Sequence, residues 1–270
     1  MKNVGFIGCG KMGQAMIEGM LTSEIVTADQ IMFSTSGQDT LTAIESKFHI
    51  RGSLDNRKIA GFANFLFLAV KPDRYESVIK EIKDDIRRDA VIITIAAGVT
   101  TKAVEQAFGK PVKVVRTMPN TPSLVREGMT AVSVNPAVSE SDLDEILSLL
   151  NSFGKTEIMD ERLMDAVPAI SGSSPAYVYM FIEALADGGV RDGISRDQAY
   201  RMAAQAVLGA AKMVLETNSH PGSLKDAVCT PGGSTIEAVA ALEENQFRAA
   251  VLSAMKACTT KSKELVKNKE

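Results

Sequence analysis

Val4-Gly5-Phe6-Ile7-Gly8-Cys9-Gly10-Lys11-Met12-Gly13 is the stretch that decides the fold. Val4 to Ile7 is a short apolar run of the kind that forms a buried strand, and a helical pattern runs from Gln14 to Leu21. Between them Gly8, Gly10 and Gly13 give the spacing G-x-G-x-x-G. The spacing means little alone; a strand in front and a helix behind are the context its mechanism demands. In that context Gly8 permits a tight turn, Gly10 lets backbone approach a pyrophosphate and Gly13 allows close helix packing. The helix N-terminus then favours the negative charge. The stretch predicts a Rossmann-type domain that holds a nicotinamide dinucleotide on Gly8, Cys9, Gly10, Lys11, Met12 and Gly13. A glycine-rich turn without a ligand is the alternative.

Outward from this start, strand-like runs recur at Val4–Gly8, Ile31–Ser34, Phe65–Val70, Val91–Ile95, Val112–Thr117, Thr130–Val134 and Thr156–Met159. Amphipathic patterns such as Tyr75–Ile86 and Leu143–Phe153 separate them, and Ser139 with Asp142 offers a helix start. This alternation predicts βαβ units in a doubly wound, largely parallel sheet. After Met159 only helical patterns remain: Pro175–Ala186, Arg196–Glu216, Thr235–Glu243 and Phe247–Val266. Turns fall at Gly188-Gly189, Gly193, His220-Pro221-Gly222 and Pro231-Gly232-Gly233. The expected architecture is α/β, with a Rossmann domain over 1–160 and an all-helical domain over 161–270. Ala203–Ala211 has little polar face, and a helix apolar nearly all round has to be covered. About a hundred residues enclose little interior of their own. A homodimer with interlocked helical domains is therefore expected; burial against the Rossmann domain alone is the other solution.

Composition narrows the function classes. With 45% hydrophobic and 23% charged residues the chain can bury a core and is not disordered. Net charge is -3, and Glu264 dilutes the basic tail Lys256–Lys269, so no nucleic-acid partner is expected. The longest apolar run, Ala90–Val99, is too short to span a bilayer and is broken by Thr94 and Gly98, so no membrane partner is expected. Met1-Lys2-Asn3 leads straight into a strand, which predicts no secretory leader. Cys9, Cys229 and Cys258 match neither metal-ligand spacing nor an even disulfide set, so the expected setting is a reducing cytoplasm, with no bound metal.

About twenty residues after the glycines, an NAD site would present Asp or Glu at the end of the second strand. The chain instead reads Phe33-Ser34-Thr35-Ser36-Gly37-Gln38, with Asp39 a little too far on. Hydroxyls and amides can donate to a 2′-phosphate that a carboxylate would repel, which favours NADP(H), although no Arg is present there. Ala69-Val70-Lys71-Pro72 and Ala96-Ala97-Gly98 end two further strand-like runs, where ligands of open α/β sheets sit; by position each reads equally as an ordinary strand exit. Lys71 fits a solvated loop charge better than a catalytic group.

In the second half, Thr230-Pro231-Gly232-Gly233-Ser234-Thr235 precedes a helix, and Ser234 with Glu237 is expected to form a capping box. A well-capped helix is one reading. The other is an anion site, with amides of Gly232, Gly233 and Ser234 on a substrate carboxylate and the Thr235 hydroxyl left to meet the substrate. His49 and His220 are the only histidines; His220 precedes proline, where a local hydrogen bond is expected rather than catalysis. No Ser/His/Asp set or metal cluster is recognisable. This inventory suits hydride transfer with modest proton demands, not hydrolysis.

Along the whole chain these residues resemble the pyrroline-5-carboxylate reductase family. The likeness runs through Gly5–Gly10, Phe67–Pro72, Ala96–Thr100, Asn120-Thr121-Pro122, Val125–Gly128, Ser171–Tyr177 and Ala184–Val190, and is most specific over Leu224–Leu242. It implies reduction of 1-pyrroline-5-carboxylate to L-proline, the last step of proline biosynthesis, with NADPH preferred and NADH used less efficiently. It also implies a helical dimerisation domain and dimers assembled into rings such as decamers. Carried over, Ser34, Ser36 and Asn56 resemble cofactor contacts, with Ala69–Pro72 and Ala96–Gly98 near the ribose and nicotinamide. Ser234 and Thr235 match the positions holding the substrate carboxylate, Thr235 the hydroxyl on the ring nitrogen, and Glu161 a further substrate-side position. Ser174 departs from the glycine common in the family. One rival reading is a different reductase on the same architecture, acting on another cyclic imine such as a six-membered ring or on a β-hydroxy acid, the latter disfavoured because Tyr177–Glu183 carries no lysine. The other is a catalytically silent NADP(H)-binding regulator, which need not keep the Thr230–Thr235 loop.

Overall fold

Strands buried on both faces read as continuous apolar runs, and Val4–Ile7, Phe65–Leu68 and Val91–Thr94 are buried at every position. The computed structural model describes residues 2–267; the last residues of the basic tail, and of the expected 161–270 domain, lie outside the described residues. Eight strands form one sheet: β1 (Val4–Ile7), β2 (Ile31–Ser34), β3 (Arg51–Ser53), β4 (Phe65–Leu68), β5 (Val91–Thr94), β6 (Lys113–Met118), β7 (Gly128–Val134) and β8 (Gly154–Ile158). Their order is β3-β2-β1-β4-β5-β6-β7-β8. All neighbours are parallel except β6 and β7, which pair antiparallel, Val115 opposite Val134. The order reverses between β1 and β4, and a dinucleotide crevice is expected at that switch.

Helices α1 (Lys11–Thr22), α2 (Gln38–Phe48), α3 (Asn56–Phe62), α4 (Tyr75–Ile82), α5 (Thr101–Phe108) and α6 (Glu140–Asn151) belong to this layer. One face of the sheet packs Phe6, Phe33, Phe67, Met16, Met20 and Phe153, with Phe6 and Phe67 stacked at 4.6 Å. The other packs Ile7, Leu66, Leu68, Ile79, Ile92 and Val104. Ser139 caps α6 as expected, accepting from the Asp142 amide. Asp142 is buried at the start of that helix and receives Lys2 at 2.9 Å and Lys113 at 2.6 Å, tying the segment before β1 and the start of β6 to α6. Burial by itself would raise the Asp142 carboxyl; hydrogen bonds from Lys113, Ser139 and Lys2 overcome that and hold it well below the usual carboxylate range.

Chain contacts divide the molecule into two compact units, Met1–Ser173 together with the segment from Cys258 onward, and Ser174–Ala257. The second contains α7 (Ser174–Arg191), α8 (Arg196–Thr217), α9 (Pro221–Val228), α10 (Ser234–Glu244) and the first part of α11 (Phe247–Lys267). A four-residue turn joins α7 to α8, and the two pack together around buried Ala186, Ala199 and Ala203. Most large apolar side chains of this unit face outward: Met180 is 69% exposed, Met202 61% and Leu215 75%. The residues read as a turn at His220-Pro221-Gly222 begin α9, because proline at the first helical position fits the fixed φ and needs no amide partner.

Candidate active site

Gly8 leaves β1 with φ +83°, a conformation an L side chain rarely adopts, and a Cβ there would lie 2.7 Å from the Ala69 carbonyl oxygen. Its amide donates to Ser34 O at 3.1 Å, closing the turn against the end of β2. Gly10 caps α1 without a side-chain hydrogen bond, and no acidic residue stands in the first turn. The first amides of a helix have no partner within it, so these are directed at whatever approaches Gly10. Among the described residues, no atom beyond its two chain neighbours lies within 4 Å of where a Gly10 Cβ would be. The cradle therefore fits a pyrophosphate, through backbone donors in a space a side chain would fill. Gly13 corrects an expectation: a Cβ there would sit 3.5 Å from Gly8 O and 3.7 Å from Ala69 Cβ, ordinary contact distances. Helix packing alone does not demand glycine at 13.

At the end of β2, Ser34 is fully buried and donates to Asn56 Oδ1 at 2.7 Å, while Asn56 Nδ2 donates to Glu81 at 2.9 Å. Ser34 thus orients Asn56 at the start of α3 rather than facing outward. Thr35 is half-buried and Ser36 exposed, and no carboxylate follows until Asp39 in the first turn of α2. The Thr35–Gln38 turn itself offers hydroxyls and amides and no carboxylate, which fits a 2′-phosphorylated ribose, while Glu81 is the acid that meets Asn56 beside it.

The Ala69–Pro72 and Ala96–Gly98 loops leave the adjacent strands β4 and β5 at their carboxyl ends. Ala69 N donates to Ile7 O at 2.8 Å, which holds that loop against the glycine turn, and Lys71 is exposed. Tyr75 starts the amphipathic pattern that becomes α4. It is 4% exposed, its hydroxyl donates to Leu68 O at 2.6 Å, and burial pushes its phenol up, partly offset by the nearby amides of Ile95 and Ala96. Glu161 lies in the same unit, in the short helical turn Glu161–Ala166, and its carboxylate is already engaged. It accepts from Thr101 N and Thr101 Oγ1, both at 2.7 Å, and from Arg116 at 3.4 Å. Arg116, buried in β6, also meets Asp165 at 2.9 Å. Glu161 therefore fastens the first residue of α5, just past the Ala96–Gly98 loop. A cavity of about 850 Å³ opens beside these groups, lined by Tyr75, Gly98, Val104, Arg116, Met118 and Met164 among others.

In the helical unit, Thr230–Gly233 forms a tight turn in which Gly233 N donates to Thr230 O at 3.0 Å and Gly232 has φ +67°. A side chain at Gly233 would run into Thr230 Oγ1. The expected capping box does not form. Gly233 is the N-cap, so Ser234 and Thr235 are the first two helical residues and Glu237 is one place too late to reach back. The amides at the start of α10 are thus without a side-chain cap, with the Ser234 and Thr235 hydroxyls beside them.

Of the titratable groups, His220 behaves as expected, its Nδ1 accepting the Gly222 amide at 3.0 Å as the cap of α9. His49 closes α2 in a left-handed conformation. Cys9, in the glycine turn, is buried, which pushes its thiol up to about 12 despite nearby Lys47. Burial thus disfavours the thiolate. Among the described residues no group of three His, Cys, Asp or Glu side chains is placed to hold a metal ion. Likewise no helix among them is long and apolar enough to cross a membrane.

Comparison with known proteins bears on the same segments. A family model described as pyrroline-5-carboxylate reductase dimerisation matches residues 161–265, and one described as NADP oxidoreductase, coenzyme F420-dependent, matches residues 3–98. The chain is 47% identical over 267 residues to pyrroline-5-carboxylate reductase of Escherichia coli (strain K12), covering 99% of each chain. Among solved structures, it resembles a pyrroline-5-carboxylate reductase from Coxiella burnetii with a TM-score of 0.91 and 33% identity, over 98% of both chains. It resembles the Plasmodium falciparum pyrroline carboxylate reductase, a structure with NADP bound, with a TM-score of 0.86 and 32% identity, again over 98% of both chains.

Proposed function

The chain belongs to the pyrroline-5-carboxylate reductase family, and from that premise we propose that it reduces 1-pyrroline-5-carboxylate to L-proline, the last step of proline biosynthesis, with hydride from NADPH. The observation that carries the reading is whole-chain similarity that includes both halves of the chemistry: an open glycine cradle ahead of α1 and an uncapped turn ahead of α10. NADPH supplies the hydride. Gly8–Gly13 hold its pyrophosphate, Ser36 and Asn56 its ribose phosphate, and Ala69–Pro72 with Ala96–Gly98 the ribose and nicotinamide end; NADH serves less well.

A cyclic imine becomes strongly electrophilic once protonated, so the protein has mainly to align the reactants and stabilise the nitrogen. The amides of Gly232–Ser234 and the start of α10 hold the substrate carboxylate, and the Thr235 hydroxyl donates to or orients the ring nitrogen. Glu161 serves the substrate side through α5, whose first residue it fixes. A β-hydroxy-acid dehydrogenase would need a lysine on the first long helix after the sheet, and Ser174–Arg191 contains none.

The outward-facing apolar side chains of α7 and α8 are covered when two copies pair, in keeping with the family's dimerisation region at 161–265. We further propose that the dimers assemble into a decameric ring and that the enzyme works in the cytoplasm. Loss of NADPH absorbance on adding pyrroline-5-carboxylate tests the activity, with no-imine and six-membered-imine controls. No imine-dependent oxidation by the pure oligomer would end the proposal.

A further inference from the structure

The two ends of an asparagine amide have nearly the same shape and opposite chemistry, so a site that uses one end has to fix which way the group is turned. At Asn56, the first residue of α3, two partners share that task. The Ser34 hydroxyl, fully buried at the end of β2, donates to Oδ1 at 2.7 Å, and Nδ2 donates to Glu81 Oε2 at 2.9 Å. A hydroxyl both donates and accepts, so Ser34 alone would serve either end of the amide. An ionised carboxylate only accepts. Glu81, exposed in the last turn of α4, therefore takes Nδ2 and rejects Oδ1, and Ser34 meets the end that is left. Nδ2 carries two hydrogens, and the bond to Glu81 uses one of them. The second is available to an anion at the end of β2.

We propose that Glu81 is a positioning residue for cofactor selection: by accepting from Asn56 Nδ2 it turns the remaining N–H of that amide toward the 2′-phosphate of NADPH. The residue touches neither cofactor nor substrate; it acts through Asn56. Its own negative charge works the other way, since like charges repel, so the test has to separate the charge from the orientation. The inference rests on the proposed placement of the ribose phosphate at Asn56. It adds to that site an acid 25 positions further along the chain, on a helix outside the glycine turn and the strand ends.

A double-mutant cycle on the full-length oligomer makes that separation, with Glu81→Met, Asn56→Ala and the pair titrated against NADPH and against NADH. Losing the charge acts in both backgrounds, whereas losing the orientation acts only where Asn56 is present. The expected result is that Glu81→Met changes the NADPH Kd about 2- to 10-fold more unfavourably with Asn56 than with alanine at 56, the range for one net hydrogen bond. NADH, which lacks the 2′-phosphate, should show no such coupling. Glu81→Gln keeps the size and a bond to Asn56 but serves either end of the amide. In the same cycle it should show a coupling of at least about 2-fold, from halving the competent population. Equal fold-changes in the two backgrounds would overturn the proposal. So would equal coupling for NADPH and NADH, or a glutamine variant without coupling, since either reduces Glu81 to a tie between α3 and α4. Asn56→Ala that weakens NADPH no more than NADH would defeat the placement of the ribose phosphate itself. Binding is read directly, so a wild type that binds NADPH but leaves the imine unreduced would defeat only the proposed reaction.

Discussion

Replacing Gly10 by alanine separates the folding role of the glycine turn from its binding role. Gly10 has φ −73° and ψ −169°, an extended conformation that alanine adopts without strain, and its Cβ would meet no atom of the described residues within 4 Å beyond its chain neighbours. The substitution therefore carries no steric cost in the free protein. It should stabilise the fold by about 0.4–1 kcal/mol, by restricting the unfolded chain, or leave it unchanged. At about 2–4 °C per kcal/mol for a chain of this size, the melting temperature should stay level or rise by a few degrees. The methyl group would occupy the space in which the pyrophosphate approaches the α1 amides. Losing one charge-assisted amide bond costs about 1.5–3 kcal/mol, which raises the NADPH Kd about 10- to 150-fold. Gly8→Ala is the contrast: at φ +83° and 2.7 Å from Ala69 O it loses about 1–3 kcal/mol from the backbone alone, so both stability and binding fall. Thermal unfolding and calorimetric titration of both variants give the answer. Gly10→Ala that binds NADPH as tightly as wild type would refute the placement of the pyrophosphate; a clear loss of melting temperature would refute the open cradle.

Thr235→Ala should lower turnover about 10- to 1000-fold while leaving NADPH affinity intact; unchanged kinetics would remove Thr235 from the reaction. Ser36→Asp places a carboxylate where the ribose phosphate is expected, and like charges so placed should cut the NADPH-over-NADH preference at least about tenfold; an unaltered ratio of kcat/KM for the two cofactors would contradict that placement. Asp142→Asn should cost about 2 kcal/mol at neutral pH, below the range for a wholly buried pair because its lysine partners are about a third exposed. Because the Asp142 carboxyl is held low in the folded chain, its contribution is complete above the unfolded value of about 3.9 and fades as pH falls below it. Melting temperature against pH should therefore drop less on the acid side in the variant, and parallel acid limbs would count against the cluster.

The parallel core was legible because its strands are short apolar runs, and the switch between β1 and β4 follows from the glycine turn after β1. Strand β3 was missed because Arg51-Gly52-Ser53 has no apolar residue; a three-residue edge strand is fixed by pairing with Met32–Ser34, which no local pattern records. The reversal of β7 is likewise a matter of connection. The short helical turn Thr121–Val125 brings the chain back beside β6, whereas a parallel return needs a longer crossover. The chemistry of the site was legible as residue types, and less so as bonding. Ser234 looked like a cap because serine with a glutamate three places on usually is one, yet the Thr230–Gly233 turn starts the helix one residue earlier. Glu161 carried no local sign that its carboxylate would be spent on Thr101 and Arg116, partners 60 and 45 positions away in sequence. Tyr75 did carry a sign: a tyrosine sharing an apolar face with Val78, Ile79 and Ile82 must bury its hydroxyl and find it a partner.

The oily outer surface of α7 and α8 ties this enzyme's durability to its abundance. The proposed pairing over Met180, Met202 and Leu215 would stabilise each copy by mass action, so the melting point should climb with protein concentration. At high dilution the dissociated copies would present an adhesive methionine-rich patch to one another and to vessel walls. Activity lost on standing in dilute stocks would then report dissociation, and should return when the stock is concentrated before such contacts become irreversible.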